Sequence, residues 1–423
     1  MPGSRKQGRW IREVSDADRP GSSQSANRAR YGQEVSSNPT SRAYNKASVL
    51  DVVLSRAPVT RNELIELTGL SKATVSRAVE EVRADGFVID GGVDAVSGRG
   101  RRSTYLDVPR TAGHVVGISF GAQTTGAMVT DLRGREIEHV IVPTVDHPDV
   151  KSAAVWLVDL MGRTCESVEG PLRQIVVAVP GRVRDGREIL GPAESMKIFA
   201  GAELHRSLED LVDAPVQLES DANCALLGIL IDDPTIRNAA LFTVSSILSF
   251  ASCTDHELVR GRTSAFGNIG VLFSGVDNET LDGLLSTSGL LRFARGRGLD
   301  LQRIDDLWLE PHDEVARAEV LEAFTTAIVT AVSAVTVTLD PESVYFVGRL
   351  RPLVDEVLPE LRVRLDKTHP KAPEIKAVTH VLGLSTARGA VYACLRFARD
   401  RLRDVVLEAR RRDQAAEQSV PAF

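Results

Sequence analysis

The sequence predicts an α/β protein in two parts, a small helical head with a basic hairpin and a two-lobed α/β trunk. Three observations predict this. A capped pair of short amphipathic helices fits Thr60–Gly86. A Gly-rich segment with three arginines lies between two alternating stretches, Phe87–Asp90 and Thr104–Val108. From His114 onward, apolar strands alternate with helical stretches. At 423 residues the chain is long enough for two or three domains with cores of their own.

Residues 1–40 are rich in Ser, Arg, Gly and Asn and poor in aliphatics, so they are expected to form a disordered arm. Asn45–Ser55 predicts a first helix through Val49, Leu50, Val52, Val53 and Leu54. Thr60 and Glu63 have capping-box spacing, so a second helix starts there, and Gly69 sits where a left-handed residue ends it. Ser71 can cap a third helix whose buried stripe is Val75, Val79 and Val82, with Gly86 at its end. Ala73, Ser76, Arg77 and Glu80 point away from that stripe, with Thr74 at its flank. Small donors and a guanidinium near the start of an exposed helical face suit entry into the DNA major groove. The segment GGVDAVSGRGRRS looks like the wing of a winged helix-turn-helix, with Arg99, Arg101 and Arg102 placed to reach phosphates or a minor groove. The candidate DNA-binding residues are therefore Ser71, Lys72, Ala73, Thr74, Ser76, Arg77, Arg99, Arg101 and Arg102. An ordinary helix pair with a solvated face is the competing reading.

Charge divides the chain in the same place. Residues 1–110 hold 18 Lys+Arg and 13 Asp+Glu, and the whole chain carries −6, which leaves −11 for residues 111–423. A mildly basic head on an acidic trunk suits duplex binding. Hydrophobic content of 43% and charged content of 26% are ordinary for a globular protein. The start MPGSRKQGRW lacks the apolar core of a secretory signal, and no apolar run is read as a membrane span, so a cytoplasmic protein is expected. Cys165, Cys224, Cys253 and Cys394 are far apart without Cys-x-x-Cys spacing, which fits reduced core residues.

The trunk opens with three strands, HVVGISF, TTGAMVTDL and EIEHVIVPTV, with a turn at Leu132–Arg135. A helix over Val150–Val168 precedes the strand QIVVAVPG; after a loop and a helix, PVQLE gives a strand and SDANCALLGIL a helix. The pattern repeats loosely, with strands near Leu241–Val244 and Leu248–Cys253 and a long helix over about Glu319–Leu339. The strand VYFVG, a helix from about Leu353, the strand AVTHV and a closing helix from Thr386 complete the body.

From about Asn45 the chain resembles a regulator of the ROK family (repressors, open reading frames and sugar kinases). The resemblance rests on GLSKATVSR, GISFGAQTT, VAVPG, SDAN, GRTSAFGNIG, LDPESVYFVGRL and TARGAVYACL. It implies an actin/hexokinase-like trunk with a cleft between two lobes. The implied organisation is an arm at 1–40, a winged helix-turn-helix at 41–109, a ROK-type domain at 110–412 and a flexible tail at 413–423. The lobes would be 110–219 with the C-terminal helix, and 220–383.

The departures from the family pattern are as informative as the matches. Family kinases carry Asp-x-Gly-Gly-Thr on the first hairpin; here the stretch is Ser119-Phe120-Gly121-Ala122-Gln123. The second phosphate loop, Gly-Thr-Gly-x-Gly in kinases, is Ser245-Ser246-Ile247-Leu248-Ser249, without the glycines that admit phosphate to backbone N–H groups. A Gly-Gly pair near the adenosine site becomes Gly348-Arg349. The zinc-binding His and Cys set is missing: the segment is Gly267-Asn268-Ile269-Gly270-Val271, and no Cys follows.

Part of the sugar pocket is kept. Asp221 matches the family's sugar-facing base, Asn223 is retained, and Asn268 replaces a pocket Glu. These three are the candidate ligand-binding residues. For Asp221 a second reading is open, that Ser220 or Asp221 caps the following helix; the two are compatible.

The resemblance implies a non-catalytic DNA-binding regulator without metal or cofactor. Its partners would be double-stranded DNA with an inverted repeat, a sugar or sugar-phosphate effector, and a second copy of the chain in a homodimer or larger homo-oligomer. No membrane partner is expected. The alternatives are a ligand-independent DNA-binding dimer and an active sugar kinase with a DNA-binding head.

Overall fold

The computed structural model describes residues 39–93, 104–261, 265–369, 371–378 and 383–418. The expected arm lies outside the described residues apart from its last two, and so do Arg99, Arg101 and Arg102 of the wing. The head consists of α1 (Pro39–Arg56), β1 (Val59–Thr60), α2 (Arg61–Thr68), α3 (Lys72–Ala84), β2 (Ile89–Val93) and β3 (Thr104–Asp107). Helix α1 starts six residues before the predicted Asn45, with a proline in its first turn, where a missing N–H costs nothing. The three strands pair antiparallel in the order β1-β3-β2. Three helices and this small sheet make up the described head, and the expected wing between β2 and β3 lies outside the described residues.

The trunk contains two five-stranded mixed sheets. The first holds β4 (His114–Phe120), β5 (Thr124–Asp131), β6 (Glu136–Pro143), β7 (Leu172–Val179) and, after the short hairpin β8 (Arg182–Arg184) and β9 (Glu188–Leu190), β10 (Val216–Ser220). Its order is β10-β7-β4-β5-β6, antiparallel from β4 through β6 and parallel from β4 through β10. The second holds β11 (Ala239–Val244), β12 (Leu248–Thr254), β13 (Glu257–Leu258), β14 (Ser343–Val347) and β15 (Glu374–Ala377). Its order, β13-β12-β11-β14-β15, repeats the first pattern around β11. The last strand precedes the predicted AVTHV and shares only Ala377 with it. Ile375 is its buried anchor, and the charged Glu374 and Lys376 on either side hide the strand from a reading based on apolar runs.

Helices cover these sheets in layers. Helices α4 (Val150–Thr164) and α5 (Glu203–Glu209) share a core with one face of the first sheet through Leu157, Leu160, Leu204 and Leu208. On the second sheet, Phe242, Phe250 and Phe346 pack with α7 (Leu281–Leu285), α8 (Thr287–Gly296), α10 (Glu314–Leu339) and α11 (Arg351–Thr368). The four-residue α9 (Asp306–Leu309) lies between α8 and α10 in sequence. Helix α10 corrects the reading that no run is apolar enough to cross a membrane: an 18-residue window has mean hydropathy 1.8. Its Val320, Phe324, Ile328 and Val332 are core residues of the second lobe.

Between the sheets run α6 (Asp221–Asp232) and α12 (Leu384–Gln418). Helix α12 continues through most of the expected tail. Leu226 and Ile229 of α6 pack on the second sheet, while Cys224 and Leu227 join α12. The two helices touch backbone to backbone. A Cβ at Gly389 would lie 1.8 Å from the Cys224 carbonyl oxygen, and one at Gly228 would lie 2.8 Å from that of Ser385. The strand below is as close, since a Cβ at Gly117 would stand 2.4 Å from the Ala387 carbonyl oxygen.

The head is part of this core. Val49, Leu50, Val79, Leu106 and Val108 belong to the same buried cluster as Val115, Val391, Leu395 and Ala398. Polar contacts flank the seam. Arg133 pairs with Asp107 at 2.9 Å, Arg135 donates to the Val108 carbonyl at 3.2 Å, and the Arg173 guanidinium lies 5.4 Å from the centre of the Phe87 ring.

Gly389→Ala is expected to destabilise the protein by more than about 3 kcal/mol, because neither backbone can retreat without moving a sheet. Gly162→Ala, with nothing within 4 Å of the added carbon and an α-helical position, is expected to be neutral or slightly stabilising. Urea unfolding of both variants checks the contrast; equal stabilities would remove the argument for a backbone contact at Gly389.

Candidate functional site

Local hydrogen bonds aim the exposed face of the head. Glu63 N–H donates to the Thr60 hydroxyl at 3.2 Å while the Glu63 carboxylate accepts from Thr60 N–H at 2.6 Å, closing the capping box of α2. Gly69 ends α2 at φ 70°, a left-handed conformation that glycine adopts without strain. Ser71 then caps α3, its hydroxyl accepting from Thr74 N–H at 3.2 Å. Val75, Ala78, Val79 and Val82 are buried, which turns Ser71, Lys72, Ala73 and Arg77 outward and leaves Thr74 and Ser76 half-buried. The structure thus brings these six predicted residues onto one surface.

Three acids of α3 and its end are engaged. Glu80 pairs with Arg61 at 3.1 Å and with Arg83 at 3.5 Å, Glu81 with Arg42 at 2.6 Å, and Asp85 with Lys46 at 2.6 Å. Among the described residues, Lys72 and Arg77 have no ion-pair partner. The N-terminal half of α3 therefore presents two cations that form no ion pair among the described residues.

The second candidate site is the cleft between the lobes, a cavity of about 420 Å³. Arg182, Pro192 and Ser220 line it from the first lobe, and Ser249, Asn268, Thr280 and Asp282 from the second. Asn268, one of the three candidate ligand residues, lines this cavity. Asp221 and Asn223 are not on this wall: they lie one and three residues past Ser220, in the first turn of α6.

Asn223 has another task. Its amide donates to Glu219 at 2.8 Å, and the Ser220 N–H donates to the same oxygen at 2.9 Å. The other Glu219 oxygen accepts from Arg260 at 2.5 Å. Glu219 is only 3% exposed, and three donors satisfy it. Since Arg260 follows β13, this pair also ties the two lobes together. Sequence reading missed it because the partners are 41 residues apart; an acid closing an otherwise apolar strand was the only signal.

The loops that match the family's nucleotide contacts are filled by this chain's own groups. Leu248 N–H donates to the Asp282 carboxylate at 2.7 Å, and Thr287 N–H donates to the Ser245 carbonyl at 2.7 Å. A carboxylate thus occupies a backbone donor in the loop where a kinase would cradle phosphate. Arg349 forms an ion pair with Asp305 and holds that carboxyl below the usual carboxylate range. In the first hairpin, Thr144 donates its hydroxyl to the Gly121 carbonyl at 2.7 Å and its N–H to that of Gln123 at 2.9 Å. Val271, at the position of the family's zinc-binding His, is an exposed aliphatic side chain.

Two mixed sheets around a cleft, with a small helical head packed against one lobe, define a two-lobed protein of the sugar-kinase fold. Residues 115–393 match the ROK family profile, and the chain belongs to the ROK family. It is similar to the xylose repressor of Bacillus subtilis (strain 168), 26% identical over 234 residues, a match covering 53% of this chain and 59% of that repressor. The chain thus spans less than two thirds of the length of this relative. A transcriptional regulator of Mycobacterium bovis is 38% identical over 99 residues, 23% of each chain. Among solved structures, a ROK family transcriptional regulator described as a homologue of the E. coli MLC protein has a TM-score of 0.67 at 14% identity, covering 87% of this chain and 100% of that one. A ROK family glucokinase from Streptomyces griseus in complex with glucose and AMPPNP has a TM-score of 0.53 at 18% identity, covering 68% of this chain and 100% of that one. At these identities the structural likeness establishes the fold.

Burial gives Asp221 an unusual charge state. Its carboxyl is pushed up to about 7, against an opposing hydrogen bond from Ala222 N–H at 2.8 Å. The folded protein therefore binds a proton that the unfolded chain, with a value of 3.8, has already released. This contribution to stability is complete below about pH 4 and is lost as the pH rises to about 7. Asp221→Asn, which is neutral throughout, is expected to be more stable than wild type by a few kcal/mol at pH 8 and by less at pH 5. Urea midpoints at the two pH values check this; an equal effect at both would mean that Asp221 titrates normally.

Proposed function

We propose that this protein is a cytoplasmic transcriptional regulator, a repressor of carbohydrate uptake or catabolism genes that works as a homodimer or larger homo-oligomer. Helix α3 reads the major groove through Ser71, Lys72, Ala73, Thr74, Ser76 and Arg77, and Arg99, Arg101 and Arg102 add wing contacts to the backbone or minor groove. The observation that carries the reading is the Lys72–Arg77 face of α3, whose two cations form no ion pair among the described residues, held on a head that shares its core with the trunk. The names of the similar repressors support the carbohydrate context.

The trunk senses rather than catalyses. Asp282 occupies the Leu248 amide of one loop that a phosphoryl donor would use and Arg349 stands in another, and Asp221 without a donor cannot turn over a sugar. Asn268 faces the effector from the second-lobe wall, and Asp221 and Asn223 follow the first-lobe wall residue Ser220 in the first turn of α6.

Footprinting is expected to show an inverted repeat with half-sites separated by one or more helical turns, about 34–36 Å each. Arg77→Ala should lower specific affinity by about 1–3 kcal/mol with relaxed preference at one base pair. Replacing Arg101 and Arg102 by Ala should weaken binding to many sequences and flatten its salt dependence. The absence of any protected site, with binding unchanged in these variants, would falsify the DNA reading. Sugar-dependent ADP release that disappears in Asp221→Asn would instead establish a kinase.

A further inference from the structure

We propose that Glu80 is a further specificity-determining residue, which reads the amino group of a cytosine about one or two base pairs from the position that Arg77 reads. This rests on the DNA reading proposed above and adds to it the acid on the recognition face.

Helix α3 carries two acids, Glu80 and Glu81, and they are placed differently. Glu81 is turned in to Arg42 at 2.6 Å, with its side chain 19% exposed. Glu80 stands on the outward face, 61% exposed. Seven residues separate it from Ala73, so the two point within about 20° of each other. It is three residues past Arg77, about 4.5 Å along the axis at about 1.5 Å per residue, and base pairs are about 3.4 Å apart. A helix that lays Ala73 and Arg77 on base edges therefore brings Glu80 to the next base pair or the one after.

Its carboxylate is held and still has room to accept. Oε1 accepts from Arg61, at the start of α2, at 3.1 Å. Oε2 faces Arg83 Nε at 3.5 Å, and that Nε has no hydrogen-bond partner among the described residues. Arg83 instead donates to Asp90 of β2 at 2.9 Å, which draws Asp90 below the usual carboxylate range. Two guanidiniums thus offset the charge that Glu80 would set against phosphates, and Arg61 fixes its direction. Lys72 and Arg77 only donate, and the Ser71 and Thr74 hydroxyls are partners of each other at 2.9 Å. Glu80 is the outward group of α3 that only accepts. In the major groove cytosine offers an amino donor, whereas guanine and thymine offer acceptors and adenine sets an acceptor beside its amino group. Of the four bases, cytosine matches a carboxylate.

Fluorescence anisotropy with the full chain tests this. The duplexes are the footprinted operator, with each base pair of a half-site substituted in turn, and poly(dA-dT), which has no cytosine. For wild type, replacing one cytosine beside the Arg77 position is expected to cost about fivefold or more. Glu80→Ala should lower operator affinity by a similar factor and lose that preference alone. Its affinity for poly(dA-dT) should hold or rise, because a carboxylate has left the DNA face, whereas loss of folding would lower both. Glu80→Gln should move the preference at that position from cytosine to adenine, which a glutamine amide matches. Arg61→Ala, which frees the carboxylate, should weaken the same preference without moving it. Base preferences unchanged in both Glu80 variants, or operator and poly(dA-dT) affinities that rise together in Glu80→Ala, would overturn the assignment and leave the DNA reading standing. A wild-type protein that protects no operator overturns both.

Discussion

The contact on which the rest of the structure depends is between two backbones, where α6 and α12 cross at Gly389 and the Cys224 carbonyl. Helices in globular proteins usually stand 8–10 Å apart, separated by side chains. Here glycines at 228 and 389 remove that spacer, and Gly117 does the same between α12 and β4. The central layer is thin enough for α6 to reach the second sheet while α12 lies on the first. Each sheet contributes one face to the same pair of helices, so the lobes meet through packed structure rather than through a linker.

That layer also joins the two candidate sites. Helix α6 begins at Asp221, next to the cleft residue Ser220, and α12 runs on to pack beside α1 of the head. A ligand influences DNA affinity only by the difference in its binding to two lobe arrangements, and typical couplings of about 1–3 kcal/mol correspond to about 5–150-fold. A head on a flexible tether would feel none of this. A head whose Leu50 and Val79 share a core with Leu395 and Ala398 cannot hold its position if α12 shifts. Glu219 restrains the same junction electrostatically, because it fastens the start of α6 to Arg260 on the second lobe.

How much of this was legible in the sequence follows from the range of the interactions. The caps at Thr60 and Ser71 and the turn at Gly69 involve partners within four residues, so spacing alone reveals them. The sheets were legible as strand and helix alternation, except at β15, where the charged Glu374 and Lys376 mask a strand with one apolar anchor. The glycine contacts were not legible, since Gly389 meets a carbonyl 165 residues earlier and any residue type supplies a carbonyl. The candidate ligand residues show both cases. Asn268 is on the cleft wall, whereas Asn223 is drawn to Glu219, whose importance depends on an arginine from the other lobe.

The loops that match the family's nucleotide contacts carry charge pairs of their own. Where family kinases carry a second glycine, Arg349 brings a side chain paired with Asp305, and in the Ser245–Ser249 loop the Leu248 amide is taken by the Asp282 carboxylate. An unpartnered guanidinium or carboxylate at a half-buried position would carry a desolvation cost; paired, each holds its loop in place. Substitution of this kind is hard to reverse one residue at a time. Restoring glycine at 349 alone leaves Asp305 unpaired, and removing Asp282 alone frees an amide without giving the loop the flexibility to cradle an anion. The loops at Leu248 and Arg349 are thus tied by this chain's own pairs, while Arg182, Ser220 and Asn268 line the cavity with polar groups.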